Sequence, residues 1–146
     1  MTARSGAWRR ALVLAALALP LPARAARLDI ELAGIENDHG LVRVAVCTPT
    51  TFTTRNCPFT GAAPAKPGSV VVSVPDIPPG RYAVQAHHDE DGNGRVRKGL
   101  FGLPVDAIGF SRDARIRLGP PPFEDAAIDV AEPVTATRLR LRHLGP

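Results

Sequence analysis

Hydrophobic and polar residues alternate along most of the chain, and helical spacing is nearly absent beyond its first segment. In RLDIEL, residues 27–32, Leu28, Ile30 and Leu32 share one face while Arg27, Asp29 and Glu31 share the other, which predicts a half-buried strand. NDHG at 37–40 supplies turn chemistry, and LVRVAVC at 41–47 resumes the alternation with Val42, Val44 and Val46, so the two runs predict a hairpin. Residues 48–68 are rich in Thr, Pro, Gly and Ala without a period and predict a long loop. SVVVSV at 69–74 predicts a strand that PDIPPG ends. RYAVQAHH at 81–88 predicts another, with Tyr82, Val84, Ala86 and His88 on one face and Arg81, Ala83, Gln85 and His87 on the other. A second irregular region covers 89–122. Two last strands are expected, near 124–131 and 135–143, flanking Glu132-Pro133; Leu139 and Leu141 face inward if Arg138, Arg140 and Arg142 face out.

Six or more short strands with Pro/Gly-rich connections and no convincing helix predict an all-β protein, a single antiparallel β-sandwich of about seven strands. The loops 48–68 and 89–122 are long for a compact domain, and loops of that length are more often functional than incidental.

The first 25 residues change the domain picture. Arg4, Arg9 and Arg10 precede an apolar run from Ala11 to Leu21, and Ala23-Arg24-Ala25 forms an A-x-A site, the three parts of a secretory signal. Cleavage after Ala25 leaves residues 26–146 as one domain, exported to the periplasm or beyond. The apolar run is shorter than the ~20 residues a span needs, and no later stretch approaches it, so no membrane span is expected in the mature chain. Charge follows from the same cut: the full chain has 18 Lys and Arg against 14 Asp and Glu, a net +4, and the signal holds four of those arginines and no acid. The mature chain is therefore formally neutral, which removes the general case for a nucleic-acid partner. Cys47 and Cys57 remain, and an even, closely spaced pair in an oxidising compartment is read as a disulfide.

The candidate chemistry lies at AHHDEDGNGRVRKGLFG, residues 86–102. Asp89, Asp91, Asn93 and Gly94 match the opening of a calcium loop, with Arg95 as the backbone carbonyl donor. The second half of that pattern fails: Arg97 stands at its ninth position and Leu100 at its twelfth, where a bidentate glutamate belongs. The same residues also make a strand-to-loop turn without any ion, because Asp, Asn and Gly bond their own backbone and accept left-handed conformations. Glu124 and Asp125 are the distant carboxylates that would have to complete a metal site. A third reading is a small hydrolase using His88 and Asp89, but no nucleophile motif accompanies them; His87 and His88, neighbours on a strand, point to opposite faces and cannot both ligate one ion there.

VPDIPPGRYAVQAHHDEDGNG, GLFGLPVDAIGFS and GPPPFEDAAIDV, together with GLVRVAVC and FTTRNCPF, occur in this order, and the combination resembles the bacterial secreted family catalogued as domain of unknown function 2141. The resemblance covers nearly all of the mature chain. It implies an exported β-sandwich similar to prealbumin-like or collagen-adhesin B-type modules, and it brings no established activity. By position it marks His88, Asp89, Gly92, Asn93 and Gly94, a downstream loop of Gly102, Pro104, Gly109, Phe110 and Ser111, and the acidic pair Glu124 and Asp125. Members often carry aspartate where Arg97 stands and asparagines where Arg112 and Asp113 stand. The expectation is a non-enzymatic binding or envelope-accessory module for an unknown envelope or extracellular ligand, its working end formed by 88–98, 102–113 and 123–125. The alternatives are a calcium-stabilised module and the small hydrolase.

Overall fold

The computed structural model describes residues 24–145; the expected signal peptide lies outside them except for its last two residues. The strands are β1 (Ala26–Ile35), β2 (Leu41–Cys47), β3 (Phe59–Pro64), β4 (Gly68–Ile77), β5 (Gly80–Asp89), β6 (Ile108–Phe110), β7 (Ala127–Val130) and β8 (Val134–Arg140). A single helical turn, α1 (Phe123–Ala126), precedes β7. They form two sheets, one of three strands in the order β4-β1-β8 and one in the order β3-β2-β5-β6, with β7 pairing to β5 beside β6. The protein is a β-sandwich, as the alternation predicts.

The alternating residues meet between the sheets. Leu28, Ile30 and Leu32 of β1, Val42, Val44 and Val46 of β2, Val72 and Val74 of β4, Val84 and Ala86 of β5 and Leu139 of β8 are buried in one cluster. Full burial of each larger aliphatic contributes about 1.5–3 kcal/mol, so this cluster is the main source of stability. Tyr82 sits at its margin, where its hydroxyl donates to the Pro78 carbonyl at 2.9 Å.

Five strand-level expectations need correction. β1 and β2 are not a hairpin: β1 lies between β4 and β8, β2 between β3 and β5, and the 37–40 turn carries the chain from one sheet to the other. Alternation is identical for a strand that pairs with its neighbour and one that packs across from it, so the pattern cannot distinguish them. The pairing is not wholly antiparallel either, since β1 and β8 run parallel. The predicted loop 48–68 contains β3, and the irregular region 89–122 contains β6. Both are edge strands, and in β3 (FTGAAP) half-buried and exposed positions alternate although its residues, small apart from Phe59, do not alternate in apolar and polar character. Finally, residues 123–126 form α1 rather than the start of a strand.

Candidate functional site

β5 delivers two consecutive ionisable residues to opposite sides of its sheet. His88 faces the core and is buried, with Nε2 2.7 Å from the His39 carbonyl. Asp89 faces the other way yet is 0% exposed, because the following loop folds back over it. Its Oδ1 accepts the Asn93 amide at 3.1 Å, and its Oδ2 accepts the Gly94 amide at 2.9 Å and Arg43 Nε at 2.5 Å. Burial alone would raise the Asp89 carboxyl, but the Arg43 bond and the Gly94 amide outweigh it and hold the group below its ordinary value.

The rest of DEDGNG is a succession of side-chain-to-backbone turns. Asp91 Oδ1 accepts the Asn93 amide at 3.2 Å and Oδ2 accepts Asn93 Nδ2 at 2.8 Å, while Asn93 Oδ1 accepts the Arg95 amide at 2.7 Å. Gly92 and Gly94 have φ of 70° and 76°, the left-handed conformation that this winding demands. Glu90 accepts Asn37 Nδ2 at 2.9 Å, and that bond, with His88 and Arg97 nearby, keeps its carboxyl below the ordinary value.

A second buried carboxylate, Asp106, does for the far side of the loop what Asp89 does for the near side. Its oxygens accept the Arg97 amide at 2.7 Å and Arg97 Nε at 2.6 Å. Arg97 also lies 3.5 Å from Glu90 and 4.0 Å from Asp91. The position where the metal pattern needs an oxygen ligand thus holds the loop's own cation. Among the described residues no group of three or more His, Cys, Asp and Glu side chains is placed to hold a metal ion.

Glu124 and Asp125 do not reach the loop. Glu124 accepts Arg81 Nη2 at 2.6 Å; Arg81 stands near the start of β5 and Asp89 at its end, about 26 Å apart at the ~3.3 Å rise of a strand. The downstream loop residues also separate. Gly102 lies at an exposed turn and Pro104 bridges to Lys98 at the loop end, whereas Gly109 and Phe110 belong to β6. Ser111 is buried, accepting the Val84 amide at 2.9 Å and donating to the Ala126 carbonyl, so it ties β5 to α1. Arg112 and Asp113 have φ of 60° and 50°, which explains why asparagine suits those positions.

Beside this loop lies a feature the sequence does not announce. Ala45 of β2, Gln85 and His87 of β5 and Ile108 of β6 line an open groove of ≈ 640 Å³ on the outer face of the larger sheet. One wall is residues 53–55, the other Gly94, Arg95, Val96 and Lys98. The first wall is anchored by the Cys47–Cys57 disulfide, by Gln85 bonding to Thr53 and Thr54, and by Phe52 packed edge-on to Phe110 and Phe123. Arg43, Arg55, Arg95 and Lys98 line the groove, and no Asp or Glu does. Of these only Arg43 has a carboxylate partner among the described residues. His87 Nε2 is buried without a protein partner, and burial pushes its imidazole below the ordinary value against the pull of Asp89 and Asp106.

Sequence reasoning missed Arg43, Asp106 and the groove. Arg43 reads as one more polar residue on an alternating strand, and Asp106, nine residues beyond Arg97, lies within GLFGLPVDAIGFS with nothing in the sequence to mark it as a buried ion-pair partner. The available signal was a rule rather than a pattern: carboxylates at a strand end that closes over itself need a counter-charge, and Arg43 is two residues from the Asp89 partner Leu41 in the ladder.

The family of uncharacterized proteins conserved in bacteria, DUF2141, matches residues 30–138. No curated protein and no solved structure was found to match the chain. The chain belongs to the DUF2141 family.

Proposed function

We propose that this family member is an exported, non-enzymatic binding module whose ligand is a small anion with an apolar body, held in the groove between residues 53–55 and 94–98. One observation carries the reading: four cations and no carboxylate line a concave surface to which Ala45, Val96, Ile108 and Phe110 add apolar area. A pocket of this size suits a small ligand, with apolar area for affinity and a few polar groups for orientation. Both walls are anchored before any ligand arrives, which lowers the ordering cost of binding.

The loop end around 88–98 is then the scaffold of one wall. Its carboxylates are occupied in holding the loop, and its exposed cations, Arg95 and Lys98, are the groups turned to the ligand. His88 and Asp89 serve the fold in this reading, with the loop's own hydrogen bonds as its supports. Export is supported by the Cys47–Cys57 disulfide, which persists in an oxidising compartment.

The test is an amide NMR titration of the mature chain with octanoate, octyl phosphate and octylammonium. The two anions should shift resonances around Ala45, Gln85, His87 and Ile108, and octylammonium should not. Arg55→Glu should weaken both anions while leaving the melting midpoint unchanged. Equal response to the cation, or shifts scattered away from the groove, would overturn the proposal.

A further inference from the structure

Residues 97–106 form a narrow hairpin that stands clear of the sandwich. The Arg97 carbonyl accepts the Val105 amide at 2.9 Å, Lys98 bridges Pro104, the Leu103 carbonyl accepts the Gly99 amide at 2.8 Å, and the Gly99 carbonyl accepts the Gly102 amide at 3.2 Å. Asp106, bonded to the Arg97 amide and side chain, ties the base to the loop that Asp89 anchors. The hairpin is therefore a held structure, and what it holds up is apolar. Phe101 is 98% exposed and Leu100 84% exposed, with Leu103 and Val105 about half exposed below them.

Such a tip is costly in water unless something covers it, and contiguous exposed apolar side chains mark interaction sites. Phe101 also sits at φ 62°, a conformation uncommon for a bulky side chain. The described strands already bury their apolar faces in the core, so the tip is not a remnant of unfinished packing. Around its base the carboxylates of Glu90, Asp91 and buried Asp106 all lie within 4.0 Å of Arg97. Arg95 and Lys98 are exposed and have no carboxylate partner among the described residues, so the unpaired charges there are cationic.

We propose that this hairpin is a membrane-docking element: Leu100 and Phe101 enter the interfacial layer of an anionic bilayer, and Arg95 and Lys98 lie against its phosphate headgroups. A protein partner of ordinary affinity needs roughly 800 Å² from each side, far more than a four-residue tip supplies. A bilayer needs only an apolar wedge and neighbouring cations, each reinforcing the other. The inference shares Arg95 and Lys98 with the groove reading, but the apolar tip residues Leu100 and Phe101 do not line the groove, so substitutions there test the docking without touching the groove.

The sole tryptophan of the sequence, Trp8, falls in the expected signal peptide, so Phe101→Trp places a single reporter at the tip of the mature chain. With vesicles of phosphatidylcholine and phosphatidylglycerol its emission should shift to the blue and be quenched by brominated acyl chains. The otherwise unmodified mature chain should float with the same vesicles. Leu100→Ser combined with Phe101→Ser should reduce that flotation by roughly tenfold or more while leaving the melting midpoint unchanged, because both side chains are solvent-facing in the fold. Lys98→Glu should abolish the preference over phosphatidylcholine alone. No blue shift and no flotation would overturn the proposal, as would capture of one protein partner through Phe101 with no vesicle binding.

Discussion

Two irregular segments cover the outer face of the larger sheet, and they are ordered by different means. Residues 48–58 are fixed by a covalent bond, by a small aromatic cluster and by one glutamine that grips the backbone. Residues 90–107 lack all three and are fixed by two buried carboxylates, Asp89 and Asp106, each with an arginine and a backbone amide. The comparison shows how a groove between loops stays open. A crosslink limits the unfolded chain and is indifferent to local charge, whereas a buried carboxylate depends on every donor around it. The charged wall is accordingly the more fragile of the two, and the one that presents unpaired cations.

The sharpest way to break this comparison is to remove the arginine behind the charged wall. Arg43→Met leaves the Asp89 carboxylate buried without its counter-charge and is expected to cost about 3–5 kcal/mol, measured as a fall in the urea midpoint. The deficit should shrink in acid, where protonation of Asp89 removes the orphan charge. An unchanged midpoint would mean that the Asn93 and Gly94 amides suffice by themselves.

Next in size is the covalent wall. Replacing Cys47 and Cys57 together by Ser is expected to cost about 3 kcal/mol for a loop of this length, read in the same unfolding experiment. Because the aromatic contacts remain, amide exchange in residues 90–107 should stay as in the parent, showing that the two walls are anchored separately. Spread of exchange into both loops would contradict that separation.

Acid should act on the charged wall first. The Asp89 and Glu90 carboxyls are held below their ordinary values, so their contribution is complete above about pH 4 and is lost as pH falls through the folded-state values. His87 is depressed by burial, so the folded state resists its protonation; stability falls as pH drops below about 6.5, the ordinary histidine value, toward its lower folded value. Melting curves between neutral pH and pH 3 should therefore decline in two stages. His87→Gln should remove the upper stage alone.

The smallest expected effect is that of calcium. An ion bound only to the native state must raise the melting midpoint, yet each Asp89 oxygen is engaged and Arg97 occupies the far side of the loop. Millimolar calcium and a chelator should give superimposable curves. A rise with calcium would return the loop to the metal-binding reading.

Legibility followed the range of the interaction. The strands β1, β2, β4 and β5 and their inward residues were readable because an alternating run of six or more residues declares a face on its own. β3 and β6 were not, since an edge strand with one large residue, Phe59, followed by five small ones, or a strand of three residues, has too little period to register. DEDGNG was readable as a turn because its bonds are local, from each side chain to an amide a few residues on. It was ambiguous as a metal site because the same residues serve both purposes, and the deciding partners, Arg43 and Asp106, come from elsewhere in the chain.

Local chemistry, then, determined that this protein is an all-β sandwich, which residues fill its core, that Cys47 can reach Cys57, and that a tight turn follows His88. Those features depend on residues within about ten positions of one another, and their patterns survive in the sequence. Tertiary structure alone decided which strands pair, that β1 and β8 run parallel, that Glu124 lies at the opposite end of β5 from Asp89, and that four cations border a groove without an acid. Each depends on strand register and on how one sheet is laid over the other. A two-residue period records which way a side chain faces and carries no information about what it will meet.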